Sequence, residues 1–169
     1  KYMQDIYSDF SSRNPDIETI LQKENMTEAE KEAFVDSFVE QSEKTFVGFA
    51  VLGGSFSEGI DLVGERLIGV AIIGVGLTQI NVQTDIIRDY FDRTNGKGFE
   101  YAYMYPGMNR VLQAAGRVIR KADDKGVVLL IDERFLHSRY LELFPRHWSG
   151  YKLVFDSHSL KRSLEESSF

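Results

Sequence analysis

Two hydrophobic periods alternate along the 169 residues. Ile6 and Phe10 stand four apart in a segment from Tyr2 to about Phe10 that stops before Asn14-Pro15, the spacing of one helix face. Ile17, Thr19 and Leu21 then alternate with Glu18, Ile20 and Gln22, predicting a short strand over Glu18 to Gln22. Thr27 with Glu30 three residues later forms a capping box. Phe34, Val35, Phe38 and Val39 behind it predict an amphipathic helix ending near Ser42. Thr45 to Leu52 and Leu67 to Gly74 are β-branched and aromatic runs that read as buried strands.

Val82, Ile86 and Tyr90, with Ile87 and Phe91, mark a helix that ends before Asn95-Gly96. Tyr101 to Tyr105 reads as a short strand or extended link into Pro106, followed by a long helix to about Ala122. A strand over Val127 to Ile131, a short helix over Arg139 to Phe144 and a last strand over Tyr151 to Phe155 complete the alternation. After Asp156 a final helix with Leu160 and Leu164 as its apolar positions runs into a frayed Ser-rich end. Strands alternating with helices predict one α/β domain with a largely parallel sheet.

Charge changes this picture in one place. Lys and Arg number 20 and Asp and Glu 26, a net charge of −6. Nine acids against three bases lie between Asp16 and Lys44, so that stretch carries the whole excess. The balance argues against coating nucleic acid by bulk charge, and any DNA contact must be local. The concentrated basic region is Arg110 to Lys125, with Arg110, Arg117, Arg120, Lys121 and Lys125 against Asp123 and Asp124. No cysteine is present, which removes disulfides, thiolate metal sites and thiol catalysis. His137, His147 and His158 lack a metal-ligand spacing. No apolar run approaches a membrane span, and no membrane partner is expected. The chain opens on Lys1, which reads as a cut fragment or a processed chain.

The helix containing QAAGRVIR, residues 113 to 120, makes the strongest local chemical argument. At 100° per residue Val111, Ala115, Val118, Ile119 and Ala122 gather on one side, with Gln113, Arg117 and Arg120 opposite. Gly116 lies among the polar residues, and a mid-helix glycine costs about 1 kcal/mol relative to alanine. Its presence suggests close approach of something to the backbone. Two guanidinium forks and an amide over bare backbone make a seat for phosphate; a solvated helix face is the plain alternative. The second feature is the loop GGSFSEGIDL, residues 53 to 62, after a buried strand. Ligands of open α/β sheets bind beyond the carboxyl ends of strands. Gly53, Gly54 and Gly59 allow close approach to an anion, Ser55 and Ser57 can donate, and Glu58 and Asp61 can accept. A tight turn explains the same glycines as well.

SFSEGIDL followed about fifty residues later by QAAGRVIR resembles motifs V and VI of superfamily 2 helicases, in the form of the XPD/DinG branch of ATP-dependent 5′-to-3′ DNA helicases. The resemblance runs from about Phe34 to Phe135, and GERL after motif V looks closer to bacterial DinG-like members. It implies a RecA-like, three-layer α/β/α second motor domain with a mainly parallel sheet, in a cytoplasmic bacterial enzyme. By that resemblance Arg117 and Arg120 reach ATP phosphates bound mainly by an N-terminal RecA-like motor domain of the same protein. Gln113 and Gly116 belong to the same motif and would couple the nucleotide with Glu58, Gly59 and Asp61, while Ser55, Phe56 and Ser57 would face single-stranded DNA. ATP and Mg²⁺ are the implied cofactors. The iron–sulfur cluster common in this branch is held in the first motor domain, and these cysteine-free residues neither support nor exclude it.

No GxxxxGK[ST] loop occurs, so the cradle for the β- and γ-phosphates is absent from the 169 residues. VVLLIDE, residues 127 to 133, imitates a Walker B strand, but without that loop Asp132 reads better as the partner of Arg134 in a structural or inter-domain pair. Phe144, Trp148 and Tyr151 are read as core aromatics rather than base-stacking platforms. Lys97 follows a helix stop and is no phosphate turn. Two other functional classes remain open on sequence: a non-catalytic α/β interaction module, and weak single-strand DNA binding by this domain alone.

Overall fold

A computed structural model describes residues 1–39, 44–53, 56, 66–119 and 125–167. The chain divides into two compact units, Lys1–Ile131 and Asp132–Phe169.

The first unit is built from parallel strand pairs and helical crossovers. Helix α1 (Tyr2–Arg13) ends at Asn14, whose backbone N–H and side-chain amide both donate to Phe10 O. Tyr7 and Phe10 place their rings edge-on against Phe49, at 5.4 and 5.5 Å. Strand β1 (Glu18–Leu21) pairs in parallel with β2 (Phe46–Phe49), Glu18 opposite Phe46 and Leu21 opposite Phe49. The crossover between them holds α2 (Glu28–Asp36), which starts at the expected capping box: Glu30 N–H donates to Thr27 Oγ1 and Thr27 N–H to the Glu30 carboxylate. α2 closes at Asp36, short of Ser42, because Arg66 takes the carbonyls that another turn would use. Its Nε donates to Phe38 O at 2.6 Å and its Nη2 to Val35 O at 3.1 Å. Residues 40–43 lie outside the described ones.

The second strand pair is β3 (Gly69–Ile73) beside β4 (Val127–Ile131), parallel and in register from Gly69 opposite Val127 to Ile73 opposite Ile131. Two helices fill the crossover. α3 (Val82–Asn95) begins at a capping box of Asn81 and Thr84 and stops at Gly96, whose φ of +70° is left-handed. The expected strand at Tyr101 to Tyr105 is instead a π turn (Glu100–Met104) leading straight into α4 (Tyr105–Ala115). Pro106 supplies a reason. A proline ring clashes with the carbonyl four residues back in an α-helix, and the wider turn relieves that clash, Tyr105 N–H donating to Glu100 O five residues back. Tyr101 is held by stacking on Phe91 at 3.9 Å and 7° and by an edge contact with Tyr105, while Ala102, Tyr103 and Met104 are buried.

Against β3 the core contains Ile72, Val75, Met108, Val111, Ala115 and Val118, each at most 5 % exposed. α4 approaches the turn after β3 backbone to backbone. A Cβ on Gly107 would lie 2.6 Å from Val75 O and 3.0 Å from Gly76 O. α4 ends at Ala115, earlier than Ala122. Gly116 N–H still donates to Leu112 O, but Arg117 and Val118 N–H donate three residues back, to Ala114 and Ala115, so the chain tightens out of the helix.

The described parallel strands thus form two two-stranded sheets, β1-β2 and β3-β4. This agrees with an α/β fold of parallel pairs and does not show the expected continuous three-layer sheet. In the second unit a 3₁₀ turn (Glu133–Leu136), α5 (Ser138–Leu141), a 3₁₀ turn (Arg146–Trp148) and α6 (Ser157–Glu166) follow in order. Phe144 contacts the rings of Phe135, Trp148 and Tyr151 at 6.3, 5.3 and 5.9 Å; Phe135 is buried and Phe144 and Trp148 half-buried, while Tyr151 is exposed rather than core. Tyr151 to Phe155 forms no strand. No described backbone pairs with it, and Tyr151, Leu153 and Phe155 are exposed. α6 begins at a capping box of Asp156 and Ser159. Among the described residues no helix is long and apolar enough to cross a membrane.

Gly107→Ala drives a methyl into main chain that cannot rotate away, and overpacking of this kind costs about 1–3 kcal/mol. Its melting temperature is expected to fall by about 2–4 °C for each kcal/mol. Gly150→Ala, with no atom within 4 Å of the added Cβ, should leave the transition in place.

Candidate nucleotide-coupling site

The end of α4 sets out the motif VI residues. Val111 and Ala115 are buried on one face, fixing the helix rotation. Gln113 and Gly116 are exposed, and Arg117 is half-buried with its Nε shielded from solvent. Gly116 is therefore not in mid-helix. It occupies the C-cap with φ −66° and ψ −5°, where any residue is allowed. The expectation that its helix penalty signals a ligand loses its premise, because glycine at a helix end costs little. Within the reach of the helix, Arg117 leaves from the first tightened turn. Ile119, expected on the buried side, is 41 % exposed for the same reason.

The loop after β2 is described at Gly53 and Phe56. Gly53 has φ +82°, a left-handed turn at the carboxyl end of the strand. Phe56 is 7 % exposed, its ring 4.3 Å from that of Phe34 and part of a cluster with Ile20, Met26, Val35, Phe38 and Leu67. Its side chain is therefore occupied by the core, and any part of Phe56 in the expected DNA contact falls to its main chain. A phenyl ring sealed in an aromatic core has no face to offer a strand. Ser55, Ser57, Glu58, Gly59, Asp61 and Arg120 lie outside the described residues. A cleft of about 230 Å³ beside Phe56, lined also by Gln22, Lys23, Asn25, Lys31 and Val51, occupies the carboxyl ends of β1 and β2.

A sequence profile of the helicase C-terminal domain matches residues 1–151. The chain belongs to the helicase C-terminal domain family. Its relatives are XPD/DinG-like helicases. It is 36 % identical over 89 residues to the ATP-dependent DNA helicase DinG of Photobacterium profundum, covering 52 % of this chain and 13 % of the relative. It is 35 % identical over 103 residues to a regulator of telomere elongation helicase 1 homolog of Oryza sativa subsp. japonica, covering 54 % and 10 %. It is also 35 % identical over 98 residues to the ATP-dependent DNA helicase chl-1 of Caenorhabditis elegans, covering 56 % and 12 %. The chain thus spans about a tenth of the length of the curated relatives it matches.

Two arginines that the sequence analysis gave no structural role, Arg66 and Arg110, brace segments adjoining the motifs. Arg66 follows motif V and caps α2, as described above. Arg110 precedes motif VI on the stripe of Gln113 and Arg117, at i, i+3 and i+7, a spacing visible in sequence. Its Nη1 donates to Gly76 O at 3.1 Å and to Thr78 Oγ1 at 3.4 Å.

Asp132 and Arg134 form the expected pair, in the second unit. Arg134 Nε donates to Asp132 Oδ1 at 2.8 Å and Nη2 to Oδ2 at 2.7 Å, while the Arg134 backbone N–H donates to Oδ1 at 2.9 Å. Asp132 caps a 3₁₀ turn and spends both oxygens on arginine, unlike a Walker B acid presenting them to a metal. The guanidinium holds the Asp132 carboxyl below its usual range, against a smaller opposing effect of burial, and the Arg134 guanidinium is raised in turn. A carboxyl with a depressed folded value stabilises above its unfolded value, about 3.9, and loses that contribution as pH falls through the folded value. Asp132→Asn should therefore melt lower than the parent at pH 7, and the two melting temperatures should converge as pH drops below about 3.9. Equal melting at pH 7 would remove the pair from the stability of this unit.

Proposed function

We propose that this chain is the second RecA-like motor domain of an ATP-dependent DNA helicase that translocates 5′-to-3′ on single-stranded DNA. Its role is to supply Arg117 and Arg120 to ATP held by an N-terminal motor domain of the same protein. The observation that carries the reading is the position of Arg117 within QAAGRVIR. It leaves the chain half-buried in the tightened turn just beyond α4, a helix packed closely at Gly107 and Val111. A fixed guanidinium costs no reorganisation when charge develops on a transferring phosphoryl group, and an arginine so placed is worth roughly a thousandfold or more in turnover.

The donor set of this chain fits phosphate oxygens. Among the described residues no group of three or more His, Asp or Glu side chains could hold a metal ion. Mg²⁺ would arrive with ATP and its first-domain ligands and would there offset charge on the phosphates. The chain has no cysteine with which to hold an iron–sulfur cluster. Gln113 is exposed next to the finger and can read the γ-phosphate or the attacking water. Gly116, Glu58, Gly59 and Asp61 belong to the nucleotide side, and Ser55 and Ser57 to the DNA backbone. Phe56 between those serines serves as an anchor in the core.

In the full-length protein Arg117→Ala or Arg120→Ala should lower ATP turnover by about a thousandfold and leave ATP affinity nearly unchanged. Single-turnover hydrolysis and equilibrium binding of ATP separate the two effects, and unchanged turnover removes the finger assignment. The isolated 169 residues should show no appreciable ATPase. Turnover from them that Arg117→Ala abolishes would overturn the division of labour between two domains.

A further inference from the structure

Three segments of the first unit converge on Arg110. Its Nη1 donates to Gly76 O and Thr78 Oγ1 in the loop that follows β3. Its stem lies on Gly53, in the turn that follows β2: a Cβ there would stand 2.7 Å from Arg110 Cδ and 2.8 Å from Nε. The helix that carries Arg110 runs on through Gln113 to Ala115, two residues short of Arg117. β2 and β3 belong to separate two-stranded sheets. One half-buried side chain thus ties the carboxyl ends of two strands to the helix bearing the phosphate-directed residues.

We infer that Arg110 is a positioning residue that couples the entry of the motif V loop to the Arg117 end of α4, so that DNA engagement at the loop sets the placement of the finger. The inference rests on the helicase reading above. Its physical basis is rigidity. Gly107 fixes α4 to the turn at Val75 and Gly76 with no side chain between them, and Arg110, about one turn later, reaches back to that same turn at Gly76. A shift of the Gly53 turn therefore meets the Arg110 stem directly and is passed to a helix that cannot slide. A guanidinium suits the task because it stays charged at every working pH and keeps its planar group flat against bare backbone. Any side chain on Gly53 would collide with it.

The test is the ratio of ATPase at saturating single-stranded DNA to ATPase without DNA, in the full-length protein. Arg110→Gln should lower that ratio about five- to tenfold, with DNA-free turnover and the KM for ATP within about twofold of the parent. Arg110→Lys, which retains the charge and a donor, should recover part of the loss. Thr78→Val removes one acceptor of the brace without touching α4 and should lower the ratio in the same direction by a smaller factor. It carries the test if Arg110→Gln loses its cooperative melting transition. A ratio unchanged in Arg110→Gln, or in Thr78→Val where that variant stands in, overturns the inference. So does a parallel fall of stimulated and DNA-free rates, the signature of a merely structural role. A parent protein whose ATPase does not respond to DNA at all fails the helicase reading itself, and the inference with it.

Discussion

The contact on which the first unit depends is the one at Gly107, where α4 lies against the turn after β3 main chain to main chain. Helices usually keep 8–10 Å between axes because side chains intervene. Here glycine removes that spacer and Gly76, at φ +63°, removes it from the other side. Everything functional on α4 inherits this fixation. Met108 and Val111 bury themselves because the helix is that close, and the opposite stripe of Arg110, Gln113 and Arg117 then has one available orientation. Arg110 adds its own hydrogen bonds to Gly76 O and Thr78 Oγ1 to that definition.

A second constraint governs the motif V side. Phe56 and Arg66, the described residues flanking 57–65, both hold on to α2: one by ring packing on Phe34, the other by hydrogen bonds to Val35 O and Phe38 O. A nine-residue helix with an acidic exposed surface thereby holds both described residues that flank 57–65. Its charges explain why the chain can be acidic as a whole and still present cations elsewhere. The acids of Asp16 to Lys44 and the bases of Arg110 to Lys125 belong to different crossovers.

Elements whose ends are set by local chemistry were legible in the sequence. Thr27 with Glu30, Asn95-Gly96 and Asn14 each satisfy backbone groups with residues a turn away, and the observed boundaries follow them. Boundaries set from a distance were not legible. α2 stops at Asp36 because of an arginine 28 residues beyond Phe38, and Tyr151 to Phe155 stays unpaired because a strand needs a neighbour as well as a pattern. The π turn escaped because Tyr-Ala-Tyr-Met-Tyr before a proline alternates like a strand, while its stability comes from stacking on Phe91 in another helix. For the site, the spacing of Gln113 and Arg117 predicts one helix face, but α4 ends at Ala115 and Arg117 lies in the tightened turn beyond it. The burial of Phe56 did not show, since an aromatic between two serines in a glycine-rich loop looks the same in sequence whether it faces a ligand or the core. The spacing of Arg110 was visible in sequence but its partners were not, lying 32 and 34 residues back.

The π turn has one more effect, on the aim of Arg117. A π turn is one residue longer than the α turn it replaces, so it advances the phase of all that follows by about 100°. Glu100–Met104 thus acts as a dial between α3, which faces solvent with Ile86 and Tyr90, and α4, which faces the core with Met108 and Val111. The direction of Arg117 is stored in a helical register more than ten residues upstream of it. A lineage could re-aim these side chains by gaining or losing one residue there, without altering a single side chain of motif VI.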